Sequence, residues 1–171
     1  MLRSISILLL LASTAHADAT DTPDGKTVGI GYKAGNGIGF FGADVIVNPT
    51  AHLGIDLHAA VFPVTGNGEN ALIYAVAPAV QGYLFGGQRS TPYASVGIVY
   101  AHLALGGATA SVLGTFVNVG YEWRWSSGLG LQLGGGIGYI NKAEATDGQS
   151  MVSFGGNINP NIEIGLRYMF L

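Results

Sequence analysis

Glu163-Ile164-Gly165-Leu166-Arg167-Tyr168-Met169-Phe170-Leu171 closes the chain, and its alternation decides the fold. Successive side chains of an extended strand point to opposite faces. Ile164, Leu166, Tyr168 and Phe170 therefore share one face, and Glu163, Gly165, Arg167 and Met169 share the other. One face is apolar and ends in aromatic rings, whereas the opposite face is mostly polar or small. That polarity suits a closed barrel whose outside meets lipid.

The same period of two recurs upstream. Leu53, Ile55, Leu57, Ala59 and Val61 alternate with His52, Gly54, Asp56, His58 and Ala60. Val117, Val119, Tyr121, Trp123 and Trp125 alternate with Asn118, Gly120, Glu122 and Arg124. Leu129, Leu131, Leu133, Ile137 and Tyr139 alternate with Gly130, Gln132, Gly134, Gly136 and Gly138. Charge collects on the face that must point inward, the reverse of a water-soluble barrel.

Turn signals at Asn36-Gly37, Asn48-Pro49-Thr50, Thr65 to Gly68, Gly86 to Ser90, Gly106-Gly107, Ser126 to Gly128 and Thr146 to Gly148 separate eight segments. The expected strands lie near 26–35, 38–47, 51–63, 70–85, 92–105, 110–125, 128–141 and 158–170. Each approaches or exceeds the ~9–11 residues of a tilted membrane strand. The sequence thus predicts an all-β fold: an eight-stranded antiparallel up-and-down transmembrane β-barrel. Both termini and the breaks at 48–50, 86–91 and 126–128 then fall in the periplasm. Those at 36–37, 64–69, 106–109 and 142–157 fall outside. Pro78, midway along the fourth strand, lacks a donor, so a bulge or a locally broken ladder is expected there.

Of the 171 residues, 49% are hydrophobic and 10% charged, against roughly 25% charged in soluble domains. The run Ile5 to Leu11 is far shorter than the ~20 residues of a spanning helix. It follows Arg3 and precedes Ala15-His16-Ala17, the order of a secretory signal peptide over 1–17. Residues 18–25, with Asp18, Asp21 and Asp24, read as a flexible periplasmic leader, and 26–171 as the barrel. The chain has no cysteine, hence no disulfide or reactive thiol. Its acidic balance gives nucleic acid nothing to hold.

Parity places a polar cluster in the periplasmic half of the lumen: Asp44, His52, Asp56, Gln81, Glu122, Arg124, Gln132, Glu163 and Arg167. Buried charges persist when they are paired and hydrogen-bonded, so the expected role is a plug; the competing role is a charged constriction for small solutes. Tyr121, Trp123, Trp125, Tyr168 and Phe170 face outward near the periplasmic ends and form an aromatic girdle. The outer lumen would be lined by Ala60, Phe62, Val99, Ala101, Val112, Phe116, Gly136, Gly138 and Ile140, with Ile73 and Ala75. Asp56, His58 and Ser95 contain the residue types of a hydrolase triad, and His52, Asp56 and His58 those of a metal site. Strand geometry spreads the latter over ~13–20 Å, and neither set is read as functional. Gly134 to Gly136 and Gly138 lack the lysine and helix of a phosphate loop and read as lumen clearance. His102 is placed outward near the outer rim, where it could approach lipid phosphates; the simpler reading is an interfacial histidine with no role.

From Lys26 to Leu171 the chain resembles the small eight-stranded outer-membrane barrels that include opacity-type proteins and the barrel domain of outer membrane protein A. The carrier of the resemblance is a C-terminal assembly signal filled by Glu163, Gly165, Tyr168 and Phe170, with Leu171 beyond the aromatic residue on which such chains usually stop. Thr91-Pro92-Tyr93-Ala94-Ser95-Val96-Gly97 resembles the start of a mid-barrel strand in the same group. The resemblance implies the outer membrane of a Gram-negative bacterium, contact with its lipid and lipopolysaccharide, and insertion by the barrel assembly machinery. The expected protein is a monomer without cofactor or metal, serving a structural or surface-interaction role. The alternatives are a narrow porin-like channel or hydrophobic small-molecule carrier and, more remotely, a lipid-modifying enzyme. The barrel hydrolases of lipopolysaccharide carry a His-x-Ser pair near the C-terminus, whereas this chain has no histidine after His102.

Overall fold

The computed structural model describes residues 27–35, 41–66, 69–86, 90–105, 108–141, 143–146, 151–154 and 156–170. The segments read as signal peptide and leader, the breaks at 36–37 and 106–107, and Leu171 lie outside the described residues.

Ten strands form: β1 (Thr27–Ala34), β2 (Phe41–Thr50), β3 (Leu53–Gly66), β4 (Glu69–Tyr83), β5 (Thr91–Leu105), β6 (Ala108–Arg124), β7 (Leu129–Ile140), β8 (Ala143–Thr146), β9 (Met151–Phe154) and β10 (Asn157–Phe170). Eight of them make a closed barrel in the order β1-β10-β7-β6-β5-β4-β3-β2. All its pairings are antiparallel. The terminal strands close it, from Val28 opposite Phe170 to Ala34 opposite Ile164. Closure satisfies both edges of every strand, which a membrane requires. We call the end bearing Thr27 and Phe170 the terminal end and the opposite one the loop end.

The structure departs from the sequence reading at β2, in the long outer loop and at Pro78. β2 occupies 41–50 rather than 38–47, so Asn48-Pro49-Thr50 is strand and the turn falls at Ala51 and His52. The β2–β3 register shifts between Val47 and Thr50, where Pro49 has no N–H to give and the strand end tolerates the slip. The segment read as the longest outer loop contains the hairpin β8–β9, whose four-residue strands are too short for a period to show. At Pro78 no bulge forms. Val76 faces Tyr100 and Ala79 faces Gly97 in one unbroken register, and the β4–β5 ladder is interrupted only between those pairs. Inward parity therefore holds through Ala75, Ala77 and Ala79, all buried.

The two faces are as different as the alternation demands. On β10, Ile164 and Leu166 are 43% and 53% exposed while Glu163 and Arg167 are 0% and 1% exposed. The lumen is filled. Ile46, Tyr83, Tyr93 and Met169 pack together toward the terminal end, and Ala77, Ala79, Val99 and Phe116 form a second apolar layer toward the loop end. Glycine makes room for the large rings: a Cβ at Gly134 would strike Oη of Tyr93, and one at Gly97 would lie 2.5 Å from Cζ of Phe116. Gly134 of β7 is thus clearance for the Tyr93 ring, which reaches it from β5, two strands away.

Candidate functional site

Between the two apolar layers, every barrel strand sends a polar side chain into one network. Its centre is Arg167 of β10, which is fully enclosed. Nε donates to Asp44 Oδ2 of β2 at 2.9 Å and Nη2 to Gln132 Oε1 of β7 at 2.8 Å. Asp56 Oδ2 of β3 lies 3.8 Å from Nη2, and Glu122 Oε2 of β6 lies 3.6 Å from Nη1. A planar guanidinium with five donors is suited to bridging several walls at once.

Lys33 of β1 is the second centre. Its Nζ lies 2.5 Å from Asp56 Oδ2 and 3.1 Å from Glu163 Oε1. Glu163 also accepts from Tyr93 Oη at 3.0 Å and from Asn118 Nδ2 at 2.5 Å, and Asn118 Oδ1 accepts from Asn161 Nδ2 at 2.7 Å. Toward the terminal end, Arg124 Nε donates to Glu122 Oε1 at 2.6 Å and its Nη2 to Tyr83 Oη at 3.3 Å. Gln132 donates to Gln81, and Gln81 to Glu122. Tyr83 Oη donates to Asn48 Oδ1 at 3.4 Å.

Eight of the nine residues placed in the cluster by sequence parity thus meet: Asp44, Asp56, Gln81, Glu122, Arg124, Gln132, Glu163 and Arg167. His52 does not. It sits exposed at the β2–β3 turn, where Nδ1 contacts the Tyr83 carbonyl oxygen at 3.0 Å, because the strand boundary lies later than expected. Lys33, Tyr83, Tyr93, Asn118 and Asn161 were missed. Lys33 was legible, since Val28, Ile30 and Tyr32 alternate with Gly29, Gly31 and Lys33.

The residues of the hydrolase sketch do not assemble. His58 and Ser95 are buried, but neither ring nitrogen of His58 and not the Ser95 hydroxyl has a hydrogen-bond partner among the described residues. Among those residues no group of three His, Asp or Glu side chains could hold a metal ion, the His52, Asp56 and His58 set included.

Outside, Tyr121 stacks at a tilt on Trp123 with centroids 4.8 Å apart, and Tyr168 meets Phe170 edge-on at 5.3 Å. Trp125 is exposed beside them in sequence. A second aromatic ring, not anticipated, circles the loop half: Tyr32, Phe41, Tyr74, Tyr100 and Tyr139 are all exposed. Trp123 pairs with Leu131, eight residues from Tyr139 along β7. At ~3.4 Å per residue and a tilt of ~40° the rings stand roughly 20 Å apart, close to the ~25 Å apolar band of outer-membrane barrels.

No family model and no curated protein sequence matches the chain. Solved structures do. It superposes on OprG of Pseudomonas aeruginosa with a TM-score of 0.57 at 15% identity, covering 90% of this chain and 99% of that one. The outer membrane protein AlkL in lipid bilayers gives 0.55 at 15% identity, covering 90% and 94%. Neisserial surface protein A gives 0.53 at 12% identity, covering 85% and 94%. The fold is that of the small eight-stranded outer-membrane barrels.

Proposed function

We propose that the chain is an integral outer-membrane barrel whose lumen is sealed against solute flow and whose role is structural or surface-facing, with the loop end outside the cell. The observation that carries this reading is Arg167, enclosed in mid-lumen and tied to side chains from β2, β3, β6 and β7. An eight-stranded barrel is only just wide enough for side chains to fill it, and a network drawing on all eight walls supports a lumen without an aqueous path. Liposomes loaded with impermeant sugar and carrying the refolded barrel should swell in a permeant pentose no faster than empty ones; swelling at porin-like rates would overturn the sealed lumen.

A second reading has one observation in its favour. Above the network, the inward residues Ala60, Ala75, Val99 and Phe116 are all apolar and buried, and they lie toward the loop end. That half of the lumen could accept a hydrophobic small molecule if Phe116 moved aside. Binding of a fluorescent alkyl probe that strengthens in Phe116→Ala would favour a carrier; no saturable binding in either protein would exclude it.

A further inference from the structure

Two residues beyond the exposed Tyr100 toward the loop end, β5 carries His102 on the same outward side, paired with Ser111 of β6. Ser111 Oγ lies 2.9 Å from His102 Nδ1 and 3.0 Å from Tyr100 Oη. Along β4, β5 and β6 no other acidic or basic side chain faces outward among the residues whose side chains are described. A linked hydroxyl and imidazole are costly against hydrocarbon. Tyr100 and Tyr74, the latter paired with His102 across the β4–β5 ladder, belong to the outward aromatic ring near the loop end, so His102 and Ser111 stand at the level where headgroups meet the barrel.

The chain of hydroxyls serves two protonation states. With a neutral ring accepting at Nδ1, Tyr100 O–H donates to Ser111 Oγ and the Ser111 hydroxyl donates to Nδ1. With a protonated ring, Nδ1–H donates to Ser111 Oγ and the Ser111 hydroxyl donates to Tyr100 Oη. In these two arrangements Nε2 carries a hydrogen, whereas a neutral ring with its hydrogen on Nδ1 would leave Nε2 without one; the contact joins two strands, which hold the ring in place.

We propose that Tyr100, His102 and Ser111 form an outward-facing site for the phosphate of a membrane lipid headgroup, with His102 Nε2–H donating to a phosphate oxygen. The site rests on the membrane placement proposed above. Its test is a titration of the refolded full-length barrel in maltoside micelles with dihexanoyl phosphatidic acid, followed by the phosphorus resonance of the probe, and separately with inorganic phosphate. Wild type should saturate with the lipid and bind the free anion at least tenfold more weakly. Ser111→Ala should weaken the lipid about fivefold, the worth of one hydrogen bond, and His102→Phe should abolish saturation. Equal saturation in wild type and His102→Phe overturns the site, as does a wild type that never saturates although it migrates as a folded barrel. Equal affinity for inorganic phosphate overturns the lipid as its occupant. Migration that does not change on heating instead overturns the membrane-barrel reading beneath it.

Discussion

Arg167 concentrates the energetics of the lumen. Removing its guanidinium would strand Asp44, which pairs with it, and would leave Asp56 to Lys33 and Glu122 to Arg124 in a water-poor interior; breaking one partner of a buried ion pair costs about 3–5 kcal/mol. Arg167→Met should lose that much stability in urea unfolding of the detergent-refolded barrel; a loss below about 1 kcal/mol would show that the network is not closed around it. The cluster holds four carboxylates, on Asp44, Asp56, Glu122 and Glu163, against the three cations Lys33, Arg124 and Arg167. Asp44→Asn therefore removes surplus negative charge and should cost less than Arg167→Met, and in the double variant it should restore part of the loss. A double variant as unstable as the sum of both would contradict the coupling, because residues in one network are expected to interact. Parity in the sequence was enough to bring most of these residues to one face. It could not tell which would touch, because that depends on the stagger of strands far apart in the chain, as with Lys33 and Asp56.

The turn and the ladder carry the next predictions. Gly128 sits at a φ of +88°, donates its N–H to the Trp125 carbonyl at 3.0 Å, and accepts from Met169 N at 2.8 Å. It ties the β6–β7 turn to the last strand. An L-residue pays about 1–2 kcal/mol in that conformation, so Gly128→Ala should lower unfolding stability by at least that amount. An unchanged stability would mean that the turn relaxes freely. At Pro78 the opposite sign is expected. The register is already correct on both sides of the interruption. Pro78→Val should supply the missing donor and raise stability by about 0.5–1.5 kcal/mol; a decrease would show that the proline ring packs usefully where it stands. The eight barrel strands were legible because each repeats its alternation many times. β8 and β9 repeat theirs too briefly to register. His52 was misplaced for a related reason: Asn48-Pro49-Thr50 has turn chemistry, yet Asn48 pairs with Thr27 of β1 and Thr50 with Leu53 of β3, so the strand continues through it.

The whole molecule is inside-out by the standards of a soluble protein, apolar outward and charged within, with an aromatic ring at each margin. Both tryptophans of the chain, Trp123 and Trp125, belong to the ring at the terminal end. Intrinsic fluorescence consequently reports one interface alone. In vesicles of brominated phospholipids, quenching should be strongest with bromine near the headgroup and weakest with bromine at the acyl terminus; the reverse order would place the ring in the bilayer centre and contradict the girdle. The central claim is that this membrane barrel is closed by its own side chains. Planar-bilayer recording of the refolded wild-type protein tests it most directly. The account predicts a flat current trace over the range of voltages the bilayer withstands, whereas discrete, reproducible conductance steps from the unmodified barrel would contradict it.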